Sequence, residues 1–301
     1  MDIGVSRELA KHWFLECAAC SEASMTTQMR GFGIEAPVYE QAIHSFSGGF
    51  LHRGYACGLL SGAALTAGFV ARDRFGSDDV SSAATLYATI QLAKDLPEVT
   101  GSINCLDITD VSFETVGGRL RYIQEGKGRM CGRLHLRWSP RAHDLIEKSF
   151  NEFSEERVPE GCQNCAVQTL SSIIPATGLK EEDSVLVAGL AGGVGLLGNV
   201  CGALAAGVFA LSVSHYLIQG DKPRDSKIHG LMEELYGHGR RDLGTQLRLA
   251  FLDRCGSELC SEIIQRQFEG IEDHSEFIEN GGCQEVIEFV GDWVTDYFSG
   301  E

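Results

Sequence analysis

Apolar residues recur at helical spacing along most of the chain, in runs separated by glycine-rich or acidic stretches. In the first half this periodicity predicts helices over Glu8–Arg30, Val38–Phe46, Cys57–Asp73, Ser81–Leu96 and Arg141–Phe153. In the second half it predicts helices over Cys165–Ile174, Glu181–Leu190, Cys201–Ile218, Arg241–Arg254, Ser257–Glu269 and Cys283–Tyr297. Ser81-Ser82 and Ser257 offer N-caps, since a short hydroxyl side chain can accept from an unsatisfied first-turn amide. Strand-like alternation is confined to Phe113–Tyr122, where Gly117-Gly118 could turn a hairpin. The expected class is all-α.

The pattern repeats. With Cys57 set over Cys201, Gly48-Gly49, Gly54 and Gly58 fall on Gly192-Gly193, Gly198 and Gly202 without a gap. Upstream, Cys17 and Cys20 answer Cys162 and Cys165; downstream, Gly101 through Cys105 answers Gly256 through Cys260. The last pair is Cys131 and Cys283, 26 residues beyond Cys105 and 23 beyond Cys260. Four ordered cysteine pairs within a shared glycine pattern indicate two tandem homologous helical-bundle repeats with glycine-rich loops. The expected boundaries are residues 1–153 and 154–301, joined by the acidic, proline-containing segment Glu155–Glu160.

Charge and composition narrow the function. With 42 acidic residues against 25 Lys and Arg, the formal net charge of −17 repels phosphate backbones, so no nucleic-acid partner is expected. Val185–Ile218 contains no Asp, Glu, Lys or Arg and is long enough to cross a bilayer, but its many glycines and Asn199 argue for a loop and a buried helix. No membrane span is expected. Met1-Asp2-Ile3-Gly4 runs into a polar helical segment with no signal-peptide pattern, which points to the reducing cytoplasm. Eleven cysteines in that setting read as metal ligands or redox thiols rather than disulfides.

Cys57 and Cys201 each follow a glycine-rich loop and open an apolar helix, where unsatisfied amides and the helix dipole favour a thiolate. Cys20, Cys165 and Cys260 are expected near helix starts too. Glycines let backbone amides approach sulfur closely. Four thiolates from separated segments can surround one site, and such a set suits an iron–sulfur centre or zinc. The Cys17–Cys20 and Cys162–Cys165 pairs lack the βαβ setting of a thioredoxin-like dithiol, and Ser21 and Ala166 stand where c-type haem attachment needs histidine. His52 has Leu196 as its counterpart and reads as a structural histidine, while Cys255 has no counterpart and reads as packing or accessory.

At these residues the sequence resembles the C_GCAxxG_C_C family, bacterial and archaeal proteins of roughly half this length with four cysteines around a Cys-Gly-Ala-x-x-Gly core. The likeness covers about residues 10–150 and 160–298. The first core reads Cys57-Gly58-Leu59-Leu60-Ser61-Gly62, with leucine for alanine. The second reads Cys201-Gly202-Ala203-Leu204-Ala205-Ala206, with the late glycine moved to Gly207. The resemblance implies redox activity or a cysteine-bound iron–sulfur centre, and no defined substrate.

The leading expectation is an iron–sulfur cluster in each half, serving electron transfer or redox sensing with a partner redox protein. Cys20, Cys57, Cys105 and Cys131 would hold the first; Cys165, Cys201, Cys260 and Cys283 would hold the second. The alternatives are a metal-free thiol–disulfide oxidoreductase and a structural zinc protein. The glycine-rich faces beside Cys57 and Cys201 could pack the halves together or support a homodimer.

Overall fold

The computed structural model describes residues 4–17, 19–76, 79–158, 161–219 and 240–300. The Met1–Ile3 opening, Ala18 within the first Cys-x-x-Cys, and Pro159-Glu160 of the expected linker lie outside these. Among the described residues there is no strand, and the class is all-α as the periodicity predicted. No helix among the described residues is long and apolar enough to cross a membrane.

The first half contains α1 (Arg7–Glu16), α2 (Cys20–Gly31), α3 (Pro37–Ala42) with a 3-10 turn (Ile43–Phe46), α4 (Gly58–Phe75) and α5 (Asp79–Thr100). Two short helices, α6 (Cys105–Thr109) and α7 (Val116–Gln124), lead into the long α8 (Lys127–Glu152). The second half repeats the order with α9 (Cys165–Thr177), a 3-10 segment (Glu181–Leu190), α10 (Gly202–Gln219), α11 (Arg240–Cys255), α12 (Cys260–Ile264), α13 (Ile271–Glu279) and α14 (Gln284–Ser299).

Several expectations change. The single helix over Glu8–Arg30 is two, because Cys17 and Ala19 are extended and the chain restarts at Cys20. The hairpin at Phe113–Tyr122 is absent. Thr115 accepts from the Gly118 amide and caps α7, so the segment runs as a helix with its glycines in the first turn. The helix over Ser257–Glu269 shrinks to α12, ended by the left-handed Gln265. Its N-cap is Leu259; Ser257 instead accepts from the Leu259 amide just outside the helix. Likewise Ser81 lies inside α5, where its hydroxyl donates to the Ala71 carbonyl of α4.

One continuous apolar core runs through both halves. Helix α4 is buried all round from Gly58 to Ala71, and α10 is apolar along its length, as expected of a helix enclosed by others. Helix α2 is buried as well, although it is rich in polar residues. Each finds a partner: Ser21 donates to the Ile43 carbonyl, Ser24 to that of Leu59 and Gln28 to that of Ser139.

The halves dock reciprocally. The 3-10 segment Glu181–Leu190 packs on α4 and α5, while α3 and its 3-10 turn pack on α10. Polar contacts fix the register. Tyr39 and Arg72 both reach Asp183, at 2.8 and 3.0 Å, and Ser45 meets Ser212 at 2.8 Å. Asn199 accepts from the Ala56 amide at 3.1 Å and donates to the Asn104 side chain at 2.9 Å.

Candidate functional site

The glycine-rich loops explain how the cysteines are placed. Five successive residues in each loop, Gly48 to His52 and Gly192 to Leu196, have left-handed backbones, with φ between 48 and 82°. Outside glycine such a conformation costs about 1–2 kcal/mol per residue. The two turns close with matching bonds: the Gly54 and Gly198 amides donate to the Gly48 and Gly192 carbonyls, both at 2.9 Å. Phe50, Leu51, His52, Val194 and Leu196 are thus held in a strained form by the same frame in both repeats.

Beyond the turn, the second and third cysteines of each repeat are tied together. Ala56 pairs with Asn104 and Val200 with Leu259 as isolated antiparallel bridges. The Cys57 amide donates to the Ile103 carbonyl, and the Cys105 amide to that of Tyr55, each at 2.7 Å. The amides of Cys201 and Cys260 do the same to Glu258 and Asn199, at 2.8 and 2.7 Å. Each bridge sets two cysteines side by side, each opening its own helix.

Seven of the eight expected ligands stand at a helix start. Cys20, Cys105, Cys165 and Cys260 are first helical residues, Cys57 and Cys283 are N-caps, and Cys201 immediately precedes α10. Cys131 lies inside α8. The glycine after the second cysteine has a direct task. A Cβ at Gly58 would stand 2.7 Å from the Cys20 sulfur, and one at Gly202 would stand 3.1 Å from that of Cys165. Only glycine lets the first sulfur lie against the start of the second cysteine's helix. Backbone amides also lower the pKa of these thiols: those of Gly192 and Ala166 at Cys165, and that of Leu59 at Cys57.

The structure gathers each set around one space. Cys20, Cys57, Cys105 and Cys131 all line a cavity of about 420 Å³. Cys165, Cys201, Cys260 and Cys283 line a second, of only about 10 Å³. Cys17 joins the first lining; Cys162 and Cys255 line neither, although Cys255 is close enough for its charge to be felt at Cys201. There is no disulfide among the described residues.

Burial, and then the mutual repulsion of neighbouring sulfurs, holds these thiols protonated. Cys57 is pushed well up by burial and by the charges of Cys20 and Cys131; Cys105 is raised by burial and by Cys57, Cys20 and Cys131. Burial likewise pushes Cys165, Cys201 and Cys283 from 9.0 up to about 12. The helix-start amides oppose this without overcoming it.

The linings differ because the chain differs after the third cysteine. Residues 105–126 and 260–281 correspond one for one, so Phe113 answers Phe268, Arg119 answers His274 and Tyr122 answers Phe277. In the second half Phe268 packs edge-on to His274 and Phe277, at 4.8 and 5.5 Å, and lies over Gly192. In the first half Phe113 turns instead to Tyr122 and His52, at 4.9 and 5.7 Å, leaving the space over Gly48 open. The Tyr122 hydroxyl lies close enough to the Cys131 sulfur to lower its pKa and offset part of its burial. Phe277 has no hydroxyl to offer.

The fourth cysteine is also displaced. Gly128 occupies the register position of Cys283, and Cys131 lies three residues further, about 4.5 Å along the helix axis. His274 is fully buried beside the second cysteine set. The Gln163 backbone is near it, yet neither ring nitrogen makes a hydrogen bond of ordinary geometry, and burial depresses its pKa to about 4.

Arg119, Tyr122, Phe268 and His274 had escaped sequence reading, because the hairpin assigned to Phe113–Tyr122 hid the register. The signal was present: continuing the repeat past Cys105 and Cys260 pairs these residues directly.

The family model for "Putative redox-active protein (C_GCAxxG_C_C)" matches residues 18–139 and again residues 163–297. The two matches coincide with the two repeats. The chain has no significant match among curated proteins or solved structures.

Proposed function

Because the chain belongs to the C_GCAxxG_C_C family, we propose that it is a redox protein whose repeats each offer a four-cysteine seat for an iron–sulfur cluster. The observation behind this reading is the convergence of four sulfurs, from four separate helix segments, on one space in each half. Cys20, Cys57, Cys105 and Cys131 would hold the first cluster, and Cys165, Cys201, Cys260 and Cys283 the second.

The donor set fits such a group. Buried thiols give up their protons reluctantly, and a cluster of iron ions supplies the positive charge that would stabilise them as thiolates. A single tetrahedral zinc, with Zn–S near 2.3 Å, would need its sulfurs drawn to about 3.8 Å of one another. Among the described residues no three His, Cys, Asp or Glu stand close enough to surround one ion. A polynuclear cluster tolerates wider spacing. The same raised thiol pKa values weigh against a metal-free thiol–disulfide enzyme, which needs a ready thiolate.

The two seats are unequal. The first is open, whereas the second requires Phe268 and His274 to swing aside. Anaerobic purification with iron, sulfide and visible-absorption measurements tests the reading. Bound iron and sulfide that Cys57→Ser and Cys105→Ser abolish in the first half, with a smaller loss for Cys201→Ser, is the expected result. A colourless, iron-free chain in which all eleven cysteines titrate as thiols overturns it.

A further inference from the structure

The first-half cavity is far larger than a group held by four sulfurs requires. At about 420 Å³ it falls in the range of organic-ligand pockets, about 300–1,000 Å³. Its upper walls are apolar and partly aromatic: Phe14, Leu59, Phe113, Tyr122 and Leu134. Through Phe14, Tyr122, Ile123 and Gly128 it continues into a shallower surface groove between α1, α7 and α8. Leu15 and Ile123 line this groove, and each is more than half accessible to solvent.

The charge at the mouth is opposite to that of the chain. Lys11, Arg129 and Arg133 line the groove, Arg119 lines the cavity, and no carboxylate lines either. Lys11, Arg129 and Arg133 form no ion pair among the described residues. Residues 116–141 carry seven Lys or Arg and one Glu, in a chain of net charge −17. The corresponding residues 271–296 carry eight Asp or Glu and no Lys or Arg. The reversal is confined to the half with the open cavity.

We propose that this cavity and groove form a binding site for an amphipathic organic anion of cofactor size. Its apolar, ring-bearing body lies between Phe14, Phe113 and Tyr122, and its acid group meets Lys11, Arg129 and Arg133. An apolar body accounts for the walls, and an anion for the cations at the rim. The site does not depend on whether the sulfurs hold a cluster. It places an organic molecule over the first cysteine set and none over the second.

The whole chain, as purified, is titrated with the aromatic anion 8-anilinonaphthalene-1-sulfonate, and the iron content of every sample is measured alongside. One saturable site per chain is expected. Gly128→Phe should weaken it about tenfold or more by filling the mouth. A Cβ at Gly128 meets only Tyr122 at 3.7 Å, an ordinary contact, so the helix should tolerate the change. Changing Lys11, Arg129 and Arg133 together to Gln should weaken the probe several-fold and remove most of the weakening of its binding by salt. The neutral N-phenyl-1-naphthylamine should respond to Gly128→Phe and not to the charge variant.

Equal probe binding by a folded Gly128→Phe chain, or no effect of the charge variant, overturns the proposal. So does binding that persists only in the second half, read as loss on Phe268→Trp. Absence of iron overturns the cluster reading alone, because the fluorescence readout stands apart from it.

Discussion

The two repeats share a frame and differ in what they enclose. Both have the five-residue left-handed turn, the antiparallel bridge that pairs the second and third cysteines, and the glycine that admits the first sulfur. These are backbone devices, and they place the thiols. The side chains that follow the third cysteine decide what else can enter. With Phe113 turned aside and Cys131 three residues further along its helix, the first half keeps about 420 Å³; with Phe268 and His274 filling in, the second keeps about 10 Å³. A duplicated scaffold can therefore keep its four-cysteine arrangement twice while enclosing very different volumes.

If the frame is common, breaking it should cost the same in either half, and more than any change of lining. Gly49 and Gly193 are the sharpest test. Both have positive φ, and a Cβ would lie 2.5 Å from the Tyr55 nitrogen or 2.5 Å from the Asn199 carbonyl oxygen. Backbone cannot swing away as a side chain can. Gly49→Ala and Gly193→Ala should each destabilise by about 3 kcal/mol or more in chemical unfolding. A mild cost in one half alone would show that the turns are not equivalent.

Buried histidines give the next largest effect. His135 is fully buried, with Thr27 and Ser139 at its two ring nitrogens at 3.2 and 3.0 Å, and burial lowers its pKa from 6.5 to about 4. The unfolded chain takes up a proton below pH 6.5 that the folded chain refuses until about pH 4. Stability is thus complete above pH 6.5 and falls as the pH drops toward 4, by up to about 3 kcal/mol for this group. His135→Gln keeps an amide for both hydroxyl partners and removes the titration. Its loss of stability between pH 7 and 4.5 should be smaller than that of the parent chain; identical acid curves would exclude His135 as a source.

How far the sequence carried depends on which physics was asked of it. Helices α4 and α10 were legible because apolar residues surround them, and the repeat was legible because the turns and bridges demand glycine and cysteine at fixed spacing. The break between α1 and α2 was not, since Cys17 and Ala19 are ordinary helix residues and tertiary placement of Cys20 overrides their preference. Gly117-Gly118 looked like a hairpin turn because paired glycines suit one; the Thr115 cap gives them a first helical turn instead. The four-sulfur sets were readable as spacing. Cavity size was not, because it depends on the direction in which Phe113 and Phe268 turn.

The lining itself can be changed. Phe268 is half-buried, so Phe268→Ala should cost about 2 kcal/mol, less than for a fully enclosed phenylalanine. In return the space over Gly192 should open. A second site for 8-anilinonaphthalene-1-sulfonate should remain weak there, because residues 271–296 are acidic; the neutral naphthylamine should gain a second site. Strong anion binding in the opened second half would show that volume alone, without the rim cations, determines the occupant.

The smallest expected effect separates the halves by one atom. Tyr122→Phe gives the first half the ring that Phe277 gives the second. It deletes the hydroxyl that lies beside the Cys131 sulfur, at a cost of about 1 kcal/mol or less. The Cys131 thiol is already raised by burial, and the hydroxyl is the chief influence lowering it. Without it the thiolate forms only at higher pH. Alkylation of Cys131, followed by peptide mass in the iron-free chain, should shift its pH profile upward, while Cys283 keeps its own. A Cys131 profile that does not move would mean that the hydroxyl packs beside the sulfur without stabilising its charge, and that the two fourth cysteines differ in position only.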